Sequence, residues 1–295
     1  MSRFNTLLLR EWMQHHRGWL VLMLAPPLLI LLLIPFGTVE FSPGELGTMP
    51  AVSLMMMAMA AVPAMVLGIT AFALVFQTSG LARRDQQDRS IEFWLSLPTS
   101  HSASIGATVL MHLVLVPLLA VAVGALLSQF IGLAMVWKVF GIGAGFALPW
   151  HELIPAGLFG LLRALFGVVL ACFWLMPLLL AAMAASAWLK RWGAPVLAIA
   201  LSVGHKLLAT FYGITVIGET LRGLLVNARQ AIVHDAPPRV HGADGAMAWL
   251  ANAPSWFMSD GLAALRDLGQ PLALFALLAS AACFGLLVLR RSRNG

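Results

Sequence analysis

Charged residues are scarce in this sequence. Lys, Arg, Asp and Glu account for 10% of its 295 residues, whereas hydrophobic residues account for 60%. A water-soluble domain carries roughly 25% charged residues, because its surface must face water. The shortage of charge therefore excludes an ordinary soluble domain, and it indicates that much of the side-chain surface faces lipid.

Several groups that define enzyme classes are also missing. The two cysteines, Cys172 and Cys283, lie inside apolar runs, which indicates neither a disulfide framework nor a thiolate metal site. No lysine follows the glycine pattern of a phosphate-binding loop, so the chain is not expected to hydrolyse ATP by that route. The apolar runs contain essentially no Asp or Glu, which leaves acid–base catalysis without carboxylates. We therefore predict no catalytic residue, no metal and no cofactor in this chain.

Six apolar runs approach or exceed the roughly 20 residues that a membrane-spanning helix needs. The predicted spans are 18–36, 51–77, 104–135, 158–188, 194–217 and 272–289. The segments between them are too small to form a separate soluble domain. Residues 1–295 are therefore predicted to form a single all-α, polytopic transmembrane domain.

The positions of the basic residues predict the orientation of these spans. With the amino terminus in the cytoplasm, most of the 18 Lys and Arg residues lie on the cytoplasmic side, as the positive-inside rule requires. The opposite orientation would reverse this bias, so both termini are predicted to be cytoplasmic. The same distribution explains the net charge of +6 without nucleic acid as a partner.

The amino-terminal segment, residues 1–17, is amphipathic. Phe4, Leu7, Leu8 and Trp12 share one face, with charged residues around them. This pattern is typical of a helix that lies in the membrane surface. The alternative is a cytoplasmic extension of the first span.

A large outer region, 219–270, separates the last two predicted spans. Within it, residues 220–233 and 255–268 have an amphipathic pattern. Helices of this kind can dip into the outer leaflet or cover an exit route.

The charges most plausibly placed within the membrane are those of Arg163 and of the pair His205 and Lys206. A charge inside the membrane is costly and tends to face a water-filled path or a partner. We therefore predict that these residues line a translocation path. In the alternative, Arg163 lies near the outer surface and the Lys206 side chain extends to a headgroup.

The cytoplasmic connection 81–100 is charged and compact. Asp85 can cap a helix, Pro98 would end it, and Thr99 or Ser100 can cap the next span. The apolar residues of this helix are Ile91, Trp94 and Leu95 on one face and Phe93 and Leu97 on another. Exposed aromatic residues flanked by charge indicate a docking site. The alternative is an interfacial helix that packs its aromatic rings among the headgroups.

The stretch from Asp88 to Pro98, Asp-Arg-Ser-Ile-Glu-Phe-Trp-Leu-Ser-Leu-Pro, resembles the segment after the second span of ATP-binding-cassette (ABC) type-2 permeases. The pair Arg10-Glu11 resembles the amino-terminal interface helix of that family. The number of spans, the long second cytoplasmic connection and the large outer region agree over nearly the whole chain. Glu92 is a departure, since an apolar residue is expected at its position.

This resemblance implies a permease subunit of an ATP-driven exporter in the bacterial cytoplasmic (inner) membrane. Such a subunit pairs with a second permease chain, expected to be identical, and each copy docks a separate cytoplasmic ATPase subunit. Two ATPase copies are then present per complex, and ATP and Mg bind to the ATPase. The docking residues implied are Arg10, Glu11, Asp88, Arg89, Ile91, Glu92, Phe93, Trp94, Leu95, Leu97 and Pro98.

Other functional classes remain open at the level of the sequence. An ATP-independent channel or secondary carrier would use Arg163, His205 and Lys206, which are ionisable groups within the predicted spans. A membrane scaffold of a larger complex would need no path at all. An intramembrane enzyme is disfavoured, because no nucleophile or ligand set is recognisable.

Overall fold

The computed structural model of the protein describes residues 3–37, 50–81, 100–238 and 242–293. Within these ranges all regular elements are helices. They are α1 (Arg3–Leu33), α2 (Ala51–Leu81), α3 (His101–Leu110), α4 (Val116–Phe140), α5 (Ile142–Phe146), α6 (Trp150–Leu189), α7 (Gly193–Tyr212), α8 (Val216–Ile232), α9 (Gly242–Arg266) and α10 (Pro271–Arg293). The prediction of an all-α protein is confirmed.

Five helical stretches in the described ranges are long and apolar enough to cross a membrane. They are Phe4–Leu33, Ala51–Thr78, His101–Phe140, Trp150–Tyr212 and Pro271–Arg293. The fourth is 63 residues long and contains both α6 and α7, so it includes two of the six predicted spans. The protein is thus a polytopic α-helical membrane protein.

A sharp turn at Lys190–Trp192 separates α6 from α7. Lys190 has a φ of 56°, and a Cβ added to Gly193 would lie 2.3 Å from the backbone nitrogen of Ser186. Only glycine permits the chain to approach itself so closely. The α7 helix therefore reverses beside α6 and packs against it.

The amino-terminal segment belongs to the same helix as the first span. Residues 1–17 were predicted to form an interfacial helix or, alternatively, a cytoplasmic extension of the first span, and α1 runs without a break from Arg3 to Leu33. No glycine or proline interrupts the sequence before Gly18, so nothing ends the helix there. Leu7 and Trp19 are both buried, and α1 packs against α3 and α4. The segment is thus an extension of the first span.

The α3 and α4 helices form one continuous rod with a π-helical segment, Met111–Leu115, between them. Pro117 lacks an N–H group, which leaves the Leu113 carbonyl without its usual α-helical donor. The Cys172 thiol of α6 donates to this carbonyl over 2.7 Å. The irregular segment is therefore tied to the neighbouring helix.

The predicted outer region contains two helices that pack on α6, namely α8 and α9. The fifth predicted span, 194–217, is too long, because α7 ends at Tyr212. Gly213 follows with a φ of 67°, a left-handed conformation that glycine adopts without strain and that terminates a helix. The second amphipathic stretch is also longer than predicted, since α9 begins at Gly242 and continues through Pro254.

The α6 helix lies at the centre of the molecule. Its buried residues pack against α2, α4 and α9 near one end, against α8 and α10 near its middle, and against α3 and α10 near the other end. Trp174, which is fully buried, lies in the middle group.

Candidate functional site

The predicted path residue Arg163 forms a buried ion pair with Asp260. Arg163 extends from α6, and its Nε donates to Oδ2 of Asp260 over 2.8 Å. A second guanidinium nitrogen lies 2.6 Å from the same oxygen, and the two side chains are 5% and 1% exposed. Each charge therefore balances the other inside one chain.

Backbone groups complete the surroundings of this pair. Arg163 Nη1 donates to the Ala231 carbonyl in the last turn of α8 over 2.8 Å. The other carboxylate oxygen of Asp260 accepts from the backbone nitrogens of His234 and Asp235, over 3.1 and 2.8 Å. The pair thus joins α6, the end of α8, the segment after it, and α9. We call Arg163, Ala231, His234, Asp235 and Asp260 the Arg163 cluster.

Two glycines make room for the Arg163 cluster. A Cβ on Gly167 would lie 2.6 Å from the Ala231 carbonyl oxygen and 2.8 Å from Nη1 of Arg163. A Cβ on Gly261 would lie 3.3 Å from Cδ of Arg163. Since real Cβ atoms do not approach backbone this closely, Gly167 is required for α8 to contact α6.

Sequence reasoning missed Asp260. It lies in the predicted outer region, and the spans were held to contain essentially no carboxylate. One signal was available: a cation within a span needs a partner, and the acidic residues of the outer region were the nearest candidates by topology. In the structure Arg163 joins helices through Asp260 and Ala231, and its place on a translocation path stays a prediction.

His205 and Lys206 are not brought to the Arg163 cluster. At a helical rise of 1.5 Å per residue, Arg163 lies roughly 40 Å along α6 from the α6–α7 turn. His205 and Lys206 lie only about 20 Å along α7 from the same turn. The half-buried His205 ring packs against α8, where a Cβ on Gly218 would lie 2.4 Å from its Cε1. Lys206 is exposed on α7.

A second polar cluster is formed by residues of α1 and the π-helical segment. Glu11 is fully buried, and its Oε1 accepts from Nη2 of Arg10, whose side chain is 10% exposed. The other carboxylate oxygen lies 4.0 Å from Nδ1 of the fully buried His112. The His15 and His112 rings meet edge to face with centroids 4.9 Å apart. We call Arg10, Glu11, His15 and His112 the Glu11 cluster.

The resemblance implied that Arg10 and Glu11 contribute to a docking surface. The Glu11 carboxylate instead points into the bundle, where it faces Arg10 and His112. The docking role of Arg10 and Glu11 stays a prediction. The Arg10 side chain, at the edge of the bundle, retains some exposure.

The other predicted docking residues, Asp88, Arg89, Ile91, Glu92, Phe93, Trp94, Leu95, Leu97 and Pro98, lie outside the described residues. The ends of their segment are described. The α2 helix ends at Leu81, and α3 begins after Ser100, whose side chain accepts from the Ala103 backbone nitrogen over 3.2 Å. The predicted capping role of Ser100 is confirmed.

The fold and the two clusters define a polytopic α-helical membrane protein. A comparison of the chain with protein-family models, curated proteins and solved structures found no match. The function must therefore be argued from the chain itself.

Proposed function

We propose that this chain is the membrane-spanning permease subunit of an ATP-driven exporter. The observation that carries the proposal is the stretch from Asp88 to Pro98, which resembles the ATPase-docking segment of ABC type-2 permeases. In the proposed complex, a second permease chain, expected to be identical, and two cytoplasmic ATPase subunits complete the transporter. ATP and Mg bind to the ATPase subunits.

The helices that flank this segment support the proposal. Residues 82–99 connect α2 to α3, and α3 continues into α4. The α2 and α4 helices are in close backbone contact, since a Cβ on Gly124 would lie 2.6 Å from Cα of Pro63. A force applied to the connection would therefore move α2 and the α3–α4 rod together, as the mechanism requires.

The charge distribution supports the proposed orientation. Arg290, Arg291 and Arg293 lie in the last turn of α10, and Lys190 and Arg191 lie in the α6–α7 turn. The positive-inside rule places these basic ends in the cytoplasm, on the side of residues 82–99. We propose the bacterial cytoplasmic (inner) membrane as the location, with both termini in the cytoplasm.

The mechanism follows from this arrangement. ATP binding draws the two ATPase subunits together and moves both docking segments as levers. The two helical bundles rearrange, and a path between the permease copies opens outwards. Lys206 suits this path better than Arg163, because it is exposed on α7 while Arg163 is neutralised within one chain.

The proposal is tested by co-purification in mild detergent. The wild-type chain is expected to retain an ATPase subunit of roughly 25–35 kDa, the size of a one- or two-domain protein. Trp94→Asp combined with Leu95→Asp is expected to lose it, because two carboxylates would oppose an apolar contact.

A matched control places the same number of charges on α5, in a connection predicted to lie on the outer side. Ile142→Asp combined with Phe146→Asp changes two residues of α5 that are 67% and 78% exposed. This variant is expected to retain the ATPase. If the folded wild type retains no ATPase, the exporter is excluded and a carrier or scaffold takes its place.

A further inference from the structure

The Glu11 cluster contains three metal-ligand groups in one place. Glu11 and His15 are four residues apart on α1 and thus share one face of the helix. His112 reaches them from the π-helical segment, a kind of irregularity that is frequent at functional sites. One potential ligand atom from each of the three residues lies within 4.8 Å of the other two.

Hydrogen bonds fix how the two imidazole rings present their nitrogens. Nδ1 of His15 lies 3.2 Å from the Glu11 carbonyl, and Nδ1 of His112 lies 3.1 Å from the Thr108 carbonyl. A carbonyl oxygen only accepts, so a neutral His15 with this bond carries its proton on Nδ1 and its lone pair on Nε2. Nδ1 of His112 also lies 4.0 Å from Oε2 of Glu11, so a metal bound at His112 would replace its contact with the Thr108 carbonyl or bind after the ring turns. Histidines that ligate metals commonly donate their other nitrogen to a backbone carbonyl in this way.

We propose that Glu11, His15 and His112 bind a divalent transition-metal cation of the Zn²⁺ class. Two imidazoles and one carboxylate form a ligand set suited to Zn²⁺, Co²⁺ or Ni²⁺, whereas Mg²⁺ and Ca²⁺ prefer oxygen ligands. Glu11 and His112 are fully buried, so a cation bound by them would be shielded from water. The cation would link α1 to the α3–α4 rod.

The contact between Arg10 and Glu11 predicts how substitution of Arg10 changes the affinity for the metal. Its guanidinium now occupies one oxygen of the Glu11 carboxylate. A metal cation and the guanidinium would therefore compete for the same group. Removal of the guanidinium is expected to tighten metal binding, whereas removal of any ligand is expected to weaken it.

The site is tested with the full-length chain in detergent, purified by a tag that contains no histidine. After treatment with a chelator, Co²⁺ is added and its visible absorption is followed. The wild type is expected to bind one Co²⁺ per chain with the spectrum of a nitrogen- and oxygen-ligated ion. Glu11→Gln, His15→Ala and His112→Ala are each expected to weaken binding by at least about tenfold.

Two further variants separate a metal site from a merely structural cluster. Arg10→Ala is expected to tighten Co²⁺ binding by about fivefold, the upper end for a partly exposed ion pair. His16→Ala is the matched control, because His16 is on the same helix but its Nδ1 lies against the Met13 carbonyl outside the cluster. It is expected to bind Co²⁺ as the wild type does.

Two results would overturn the metal site. One is a folded wild type that binds no Co²⁺. The other is a His15→Ala variant that binds Co²⁺ as tightly as the wild type, a decisive result because half-buried His15 is tolerant of truncation. Neither result depends on an ATPase partner, so the metal site can fail while the proposed function stands.

Discussion

The Arg163 cluster and the Glu11 cluster both bury a carboxylate beside an arginine, but they differ in the groups that surround the two carboxylates. Asp260 receives the guanidinium on one oxygen and two backbone N–H groups on the other. Glu11 receives Arg10 on one oxygen, while its other oxygen is 4.0 Å from His112.

The difference predicts that the Arg163 cluster holds its helices in one arrangement, whereas side chains of the Glu11 cluster can change partners. Four chain segments meet at Arg163 and Asp260, and neither side chain can turn to water without opening that contact. Arg10 lies nearer the edge of the bundle, and the two histidines offer nitrogens that can bind a proton or a metal. We therefore expect stability to depend more on the Arg163 cluster and ligand response to reside in the Glu11 cluster.

The largest effect is expected from Asp260→Asn. The substitution keeps the shape of the side chain but leaves the Arg163 charge buried without a counter-ion, which costs about 3–5 kcal/mol of folding free energy. The thermal unfolding midpoint in detergent should fall steeply.

The double variant Arg163→Met with Asp260→Asn is the control for that loss. It removes both charges, while the amide oxygen introduced at position 260 can still accept from the two backbone nitrogens. We expect it to be more stable than Asp260→Asn alone. An Asp260→Asn chain as stable as the wild type would contradict the comparison of the two clusters.

The next effect is expected from Gly167→Ala. The added Cβ would lie 2.6 Å from the Ala231 carbonyl oxygen, so α8 must move away from α6 at a cost of about 1–3 kcal/mol. Gly68→Ala on α2 is the control, because no atom lies within 4 Å of its added Cβ. The Gly68→Ala chain should be as stable as the wild type or slightly more stable. Equal unfolding midpoints for Gly167→Ala and Gly68→Ala would refute the close contact between α6 and α8.

A smaller effect is expected from Glu11→Gln. The amide keeps an acceptor oxygen near Arg10, whose guanidinium can turn towards water, so the loss should be about 1–2 kcal/mol. Its unfolding midpoint should lie between those of the wild type and Asp260→Asn. If Glu11→Gln lowered the unfolding midpoint more than Asp260→Asn does, stability would depend more on the Glu11 cluster, contrary to our expectation.

The smallest effect is expected from Ser100→Ala. It removes the side-chain acceptor at the start of α3, which costs about 1 kcal/mol. Ser202→Ala is the control, because the Ser202 hydroxyl bonds only to a carbonyl of its own helix. Equal unfolding midpoints for the two variants would show that the cap contributes nothing to stability.

Local chemistry made the helices predictable. Runs of apolar residues located the long apolar helices, amphipathic spacing located most of α8 and the second half of α9, and Ser100 was one of the two caps predicted for α3. The errors arose where local patterns are ambiguous. The change from charged to apolar residues near Gly18 suggested two elements, yet a helix continues wherever no breaker stops it.

The clusters were less predictable, because they depend on contacts between distant parts of the chain. Arg163 and Asp260 are 97 positions apart, and nothing local to Asp260 distinguishes it from a solvated acid of the outer region. His112 lies inside an apolar run, so only the packing of α1 against the π-helical segment reveals its neighbours. The stretch from Asp88 to Pro98 is outside the described residues, and its docking role stays a prediction.

Direct contact at residue 94 is the sharpest test of the proposed exporter. A chain with Cys172→Ser and Cys283→Ala, which keeps a donor for the Leu113 carbonyl, would receive Trp94→Cys or, as a control, Phe146→Cys. After thiol cross-linking in native membranes, mass spectrometry would identify the attached protein. We predict that the Trp94→Cys chain, and not the control, captures a protein with the phosphate-binding loop G-x-x-x-x-G-K-[ST]. Capture of no protein, or of one without that loop, would contradict the proposal.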